Sequence, residues 1–88
     1  MVSMKFQATI QIMLKESVND PQGNAVLSGL KALGFENIEN VRVGKFVSVQ
    51  LQATDRSSAD AEVNAMCEKL LANTVIESFT YTLEDVTT

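Results

Sequence analysis

The chain has 88 residues, 45% of them hydrophobic and 20% charged, with a formal net charge of −4. That length suits a single small domain over residues 1–88, which would hide only about 60% of its unfolded surface and gain from assembly. The acidic balance argues against nucleic acid and against anionic membranes, both of which require basic patches.

The opening stretch, MVSMKFQATIQIML, alternates polar and apolar residues. Phe6, Ala8, Ile10, Ile12 and Leu14 share one parity, and Lys5, Gln7, Thr9 and Gln11 the other. This period of two predicts a strand with one buried face. It lacks the continuous apolar core of a signal peptide, and no apolar run approaches the roughly 20 residues of a membrane helix. A cytoplasmic location is expected.

VNDPQG follows, with the only proline of the chain. Asp20 suits the N-cap of a helix and Pro21 its first position, where no donor is lost; Gly23 completes this helix-start turn. The helix N-terminus invites an anion, but Asp20 would repel one and take the free amides itself. Val26, Leu27, Leu30 and Leu33 fall on one helical stripe, and Gly34 fits the left-handed position after the last turn.

In NIENVRVGKFVSVQLQA, the residues Val41, Val43, Val47, Val49 and Leu51 share odd parity. A tight hairpin at Gly44-Lys45 would set Val43 opposite Phe46 and Val41 opposite Ser48, breaking the apolar face. One strand from about Ile38 to Gln52, bent at Gly44, keeps that face and is preferred; a ferredoxin-like hairpin with a bulge is the alternative. Fifteen residues extend roughly 50 Å, against a radius of gyration near 12 Å for a compact chain of this length. Such a strand would outrun its own sheet and offer unpaired backbone groups to another chain.

TDRSSADAEVNAMCEKLLAN reads as the second helix. Ser57 and Asp60 resemble a capping box, Ala59, Val63, Met66, Cys67, Leu70 and Leu71 form the stripe, and Asn73 can end it in the left-handed conformation. In VIESFTYTLE, the residues Val75, Phe79, Tyr81 and Leu83 define the inner face of a last strand, and residues 85–88 are expected to fray. The order is strand–helix–strand–helix–strand. It predicts an α+β fold, an antiparallel sheet with two helices on one face.

Candidate chemistry is sparse. With no histidine, the commonest general base and metal ligand are missing. Cys67 cannot form an internal disulfide and lies on an apolar stripe, as a buried structural thiol does. Gly44-Lys45 lacks the glycine-rich context of a phosphate loop. Lys45 and Glu77 occupy core parity in their strands; either they pair with each other or each reaches solvent at a strand end. No catalytic, cofactor-binding or metal-binding residue is expected. Val41, Arg42, Val43, Gly44, Lys45 and Glu77 are the candidate assembly residues.

Four stretches, DPQGNAV, LKALGF, VRVGKFV and LLANTVIESF, resemble in order and spacing the PurS family, the small subunit of phosphoribosylformylglycinamidine synthase. The resemblance covers about Lys5 to Glu84. The family usually has Asn-Pro before its last strand, where this chain has Asn73-Thr74, and threonine also enters strands. The resemblance implies a ligase-class, ATP-dependent amidotransferase of de novo purine synthesis. That enzyme converts formylglycinamide ribonucleotide to the amidine with ammonia from glutamine. It further implies that glutamine hydrolysis belongs to the glutaminase subunit PurQ and ATP chemistry to the large synthetase subunit PurL. PurS would bridge them, assist ammonia transfer and associate with itself. ATP and glutamine would be used by the complex and not bound by this chain. A ferredoxin-like regulatory domain that senses a small molecule is the alternative function.

Overall fold

The computed structural model describes residues 3–87. Its elements are β1 (Met4–Leu14), α1 (Pro21–Ala32), β2 (Gly44–Ala53), α2 (Arg56–Met66) and β3 (Glu77–Asp85). The strands form one antiparallel sheet in the order β2-β1-β3. The α+β class and the element order are those expected.

The alternation of β1 fixes the core. Phe6, Ala8, Ile10 and Ile12 are all buried. Ile10 lies between Val47 and Tyr81, and Ile12 between Lys45 and Phe79. Because strand side chains alternate, this register puts Val47, Val49, Leu51, Phe79, Tyr81 and Leu83 on the same face. The opposite face is built largely from Gln7, Thr9, Gln11, Ser48, Gln50, Thr80 and Thr82.

One helix covers the inner face. Ala59 and Val63 of α2 and Cys67 just after it pack into the core with β1, and burial pushes the Cys67 thiol up from its ordinary value. Each large side chain so buried contributes about 1.5–3 kcal/mol relative to exposure. The edge strands are less covered: Val47, Val49, Phe79 and Tyr81 stay half-buried. The Tyr81 hydroxyl donates to the Asp60 carboxylate at 2.8 Å, tying β3 to α2.

Several local expectations shift. The N-cap of α2 is Asp55, which accepts from the Ser58 amide at 2.7 Å, not Ser57. The helix ends in a wider turn over Cys67–Leu71, where the Ala72 amide donates to the Cys67 carbonyl. This turn swings Leu70 off the stripe, leaving it 83% exposed. Asn73 does not adopt the left-handed conformation: among the described residues only Gly34 has positive φ, at 99°. Val75 lies in the turn before β3 and is exposed. The tail does not fray as expected: Asp85 closes β3, the Val86 amide donates to the Lys5 carbonyl, and the Lys5 amide donates to Thr87 Oγ1. Thr88 lies outside the described residues.

The middle strand begins at Gly44, not near Ile38, and pairs with β1 from Met13 back to Met4. No hairpin forms at Gly44-Lys45. A Cβ on Gly44 would meet the Met13 sulfur and sit 2.5 Å from the Ile12 carbonyl oxygen. Glycine is therefore required by the close approach of β1. The chain is long and thin, 57 × 30 × 14 Å, with a radius of gyration of 17.2 Å, well above the ~12 Å of a compact chain.

Gly44→Ala should lower stability by roughly 1–3 kcal/mol, since the backbone of β1 must move to admit the methyl group. Chemical denaturation measures this, and an unchanged midpoint would contradict the close packing.

Candidate functional site

The end of β1, the start of α1 and the segment before β2 meet at one carboxylate. Asp20 is buried. Its Oδ1 accepts from the Gly23 amide at 2.9 Å, capping α1 as its sequence position predicts. Its Oδ2 accepts from the Val43 amide at 2.8 Å. Pro21 takes the first helical position. A Cβ on Gly23 would strike the Val41 carbonyl oxygen and lie 2.7 Å from Asp20 Oδ2, so only glycine lets the 41–43 segment come this close.

Arg42 completes the junction. Its Nε lies 3.9 Å from Asp20 Oδ2. Its guanidinium donates to the carbonyls of Lys15 at 3.0 Å and of Leu14 and Val18 at 3.3 Å. These carbonyls belong to the end of β1 and the turn after it, where the Lys15 carbonyl also accepts from the Val18 amide. The amides of Gly23 and Val43, and then the Arg42 charge, hold the Asp20 carboxyl below its ordinary value.

A second pair lies beside it. Lys45 Nζ is 3.5 Å from Glu77 Oε2 and 3.4 Å from the Leu71 carbonyl, while Glu77 Oε1 accepts from the Asn73 amide at 2.7 Å. Both alternatives read from the sequence apply in part: the two residues pair, and Lys45 remains over half exposed. A cleft of about 230 Å³ separates this pair from α1, lined by Ile12, Leu14, Gln22, Val43, Gly44, Lys45 and Glu77.

All nine residues singled out from the sequence thus fall at one end of the sheet: Asp20, Pro21, Gly23, Val41, Arg42 and Val43 around the carboxylate, Gly44, Lys45 and Glu77 around the cleft. Between Asn37 and Arg42, no backbone N–H or carbonyl is bonded to other backbone among the described residues. The Val43 amide, by contrast, is committed to Asp20. Proline at position 43 would therefore break an intrachain bond before it touched any partner. The clamp made by Arg42 was not foreseen, because its carbonyl acceptors lie far back in the chain. The signal available was one arginine between two core-parity valines.

The sequence model of the PurS family, phosphoribosylformylglycinamidine (FGAM) synthase, matches residues 7–85. The PurS subunit of phosphoribosylformylglycinamidine synthase from Bacillus subtilis is 43% identical over 81 residues, 92% of this chain and 95% of that protein. The corresponding Synechocystis subunit is 41% identical over 80 residues, 91% of this chain and 80% of the relative. A crystal structure of B. subtilis PurS superposes with a TM-score of 0.81, covering 90% of this chain and 98% of the other. A chain of the PurLQS structure from Thermotoga maritima is 26% identical, with a TM-score of 0.80 over 93% of this chain and 98% of its own length.

Asp20→Asn keeps the shape but leaves one of the two amides without an acceptor, so it should melt below wild type at neutral pH. The folded carboxyl titrates below its ordinary value of 3.8. Its stabilisation is thus present above that value and is lost as pH falls through the folded one. The difference in melting temperature between wild type and Asp20→Asn should shrink as the pH is taken below the ordinary value. A difference that stays constant would contradict the double acceptance.

Proposed function

Because the chain belongs to the PurS family of phosphoribosylformylglycinamidine synthase subunits, we propose that it is the small subunit of that synthase and acts in de novo purine biosynthesis. Its partners are a large synthetase subunit PurL and a glutaminase subunit PurQ, the letters that stand beside PurS in the name of the T. maritima PurLQS structure, and a second copy of itself. The observation that carries this reading is the family match across residues 7–85. It works in the cytoplasm.

The chain acts by assembly and carries no catalytic group. Glutamine hydrolysis and ATP chemistry belong to the larger subunits, which bind those molecules. Ammonia released at one site must reach the other before water protonates it, because ammonium has no lone pair with which to attack. A subunit that holds the two sites in register and keeps water from the path preserves the nucleophile. The junction around Asp20 suits such a role, since it fixes α1 and the 37–42 segment at one end of the sheet and leaves their surfaces free for other chains. A sensing role is favoured only by the cleft beside Lys45 and Glu77.

The purified chain should show neither glutaminase nor synthetase activity, and adding it to PurL and PurQ should restore glutamine-dependent synthesis. Equal synthesis without it would overturn the proposal. A purine nucleotide or amino acid that raises the melting temperature of the isolated chain at micromolar concentration would favour sensing instead.

A further inference from the structure

The cleft between α1 and the sheet sets a cation and an anion side by side, and neither is fully engaged. Lys45 Nζ lies 3.5 Å from Glu77 Oε2 and 3.4 Å from the Leu71 carbonyl. Charge-assisted bonds of this kind normally close to about 2.7–2.9 Å. Both contacts are loose, and an ammonium has three donors to place. Glu77 is divided. Its Oε1 is committed to the Asn73 amide at 2.7 Å, which holds the carboxylate in place. Among the described residues, its Oε2 meets only the distant ammonium. The Glu77 side chain is 14% exposed and that of Lys45 56%, so a fixed anion stands beside a cation free to swing.

The rest of the lining is different in character. Leu14 and Val43 supply apolar surface, and Gln22 belongs to the first turn of α1. While α2 packs on β1 and β2, α1 makes no comparable packing with any strand. It stands off as an arm, and the cleft lies at its base. At about 230 Å³ the cleft is smaller than the roughly 300–1,000 Å³ of sites for drug-sized ligands, which excludes a nucleotide. A simple anion would meet Glu77, and a simple cation would meet Lys45. A neutral apolar molecule would desolvate both and match neither. A ligand with oxygens for Lys45, N–H groups for Glu77 and a short apolar body opposes each group with its complement. A residue inside a peptide carries neither charge, so the ligand is a free amino acid.

We propose that this cleft binds a free α-amino acid with a small apolar side chain. The ligand carboxylate accepts from Lys45, its ammonium donates to Glu77 Oε2, and its side chain lies against Leu14 and Val43. Gln22 borders the same space, so an occupied cleft ties the arm to β2 and β3 beside the Asp20 joint. The site goes beyond the assembly role and does not depend on it.

The probe is L-valine, titrated into the purified chain without other subunits and followed by the amide resonances of the chain. Half-saturation is expected on the order of 1 mM, because a ligand of roughly eight non-hydrogen atoms gains little from one open cleft. The amides of Gln22, Val43, Gly44, Lys45 and Glu77 should shift together. Isovalerate lacks the ammonium and isobutylamine lacks the carboxylate. Each leaves one charge of the protein pair unmatched and should bind about tenfold or more weakly. Glu77→Gln keeps an oxygen for the Asn73 amide and should weaken L-valine binding by a similar factor. The proposal is overturned if no saturable shift appears by about 50 mM, if either analogue matches L-valine, or if Glu77→Gln binds as wild type does. Should Glu77→Gln not fold, the two analogues on wild type decide. Reconstituted synthesis tests the assembly role by itself, so the site and that role can fail separately.

Discussion

One carboxylate, Asp20, accepts from two amides, those of Gly23 and Val43, that belong to different parts of the fold. A helix N-cap needs only the first. The second turns a local cap into a tertiary joint, because the same residue that starts α1 also anchors the segment leading into β2. Arg42 carries the joint back to the end of β1 through the carbonyls of Leu14, Lys15 and Val18. Burial of Asp20 strengthens each of these bonds and makes the loss of either amide costly. The two glycines follow from the same constraint. Gly23 admits the Val41 carbonyl against the helix start, and Gly44 admits β1 against the start of β2.

The shape of the molecule depends on that joint. With α1 held at the end of the sheet, α2 is left to cover the inner face by itself. It buries Phe6, Ala8, Ile10 and Ile12 of the central strand and leaves Val47, Val49, Phe79 and Tyr81 of the edge strands half-buried. The result is a chain 14 Å thick and 57 Å long, a form suited to lying between other proteins. A compact domain of the same length would hide α1 and keep little surface for partners. The half-open sheet and the helix set at its end are two consequences of one placement, and the segment that leads into β2 lies beside them. Each is a surface that assembly can use.

The sequence carried the local features well. The parity of β1, the Asp20-Pro21 start and Gly34 as the left-handed stop all depend on neighbours within a few residues, and period or capping chemistry reports them directly. Features set by distant partners were not legible. Helical period shows that Val26 and Leu33 share a stripe but not whether the chain has a surface for it. Odd parity shows that Val41 and Val43 are extended but not that a carboxylate takes the place of a strand partner. Ser57 and Asp55 are both competent caps. The choice of Asp55 starts the helix at Arg56, whose side chain donates to the Leu83 carbonyl, a contact that no local pattern contains. The candidate residues nonetheless gather at one end of the sheet, because breaks in pattern cluster where elements meet.

Amide hydrogen exchange on Asp20→Ala, residue by residue beside wild type, tests the joint most directly. If this carboxylate holds the arm in place, the amides of Gly23, Val43 and α1 lose protection together, while those of β1, β2 and β3 in the sheet keep theirs. Retained protection in α1, or an equal loss across sheet and helix, would contradict that role for Asp20.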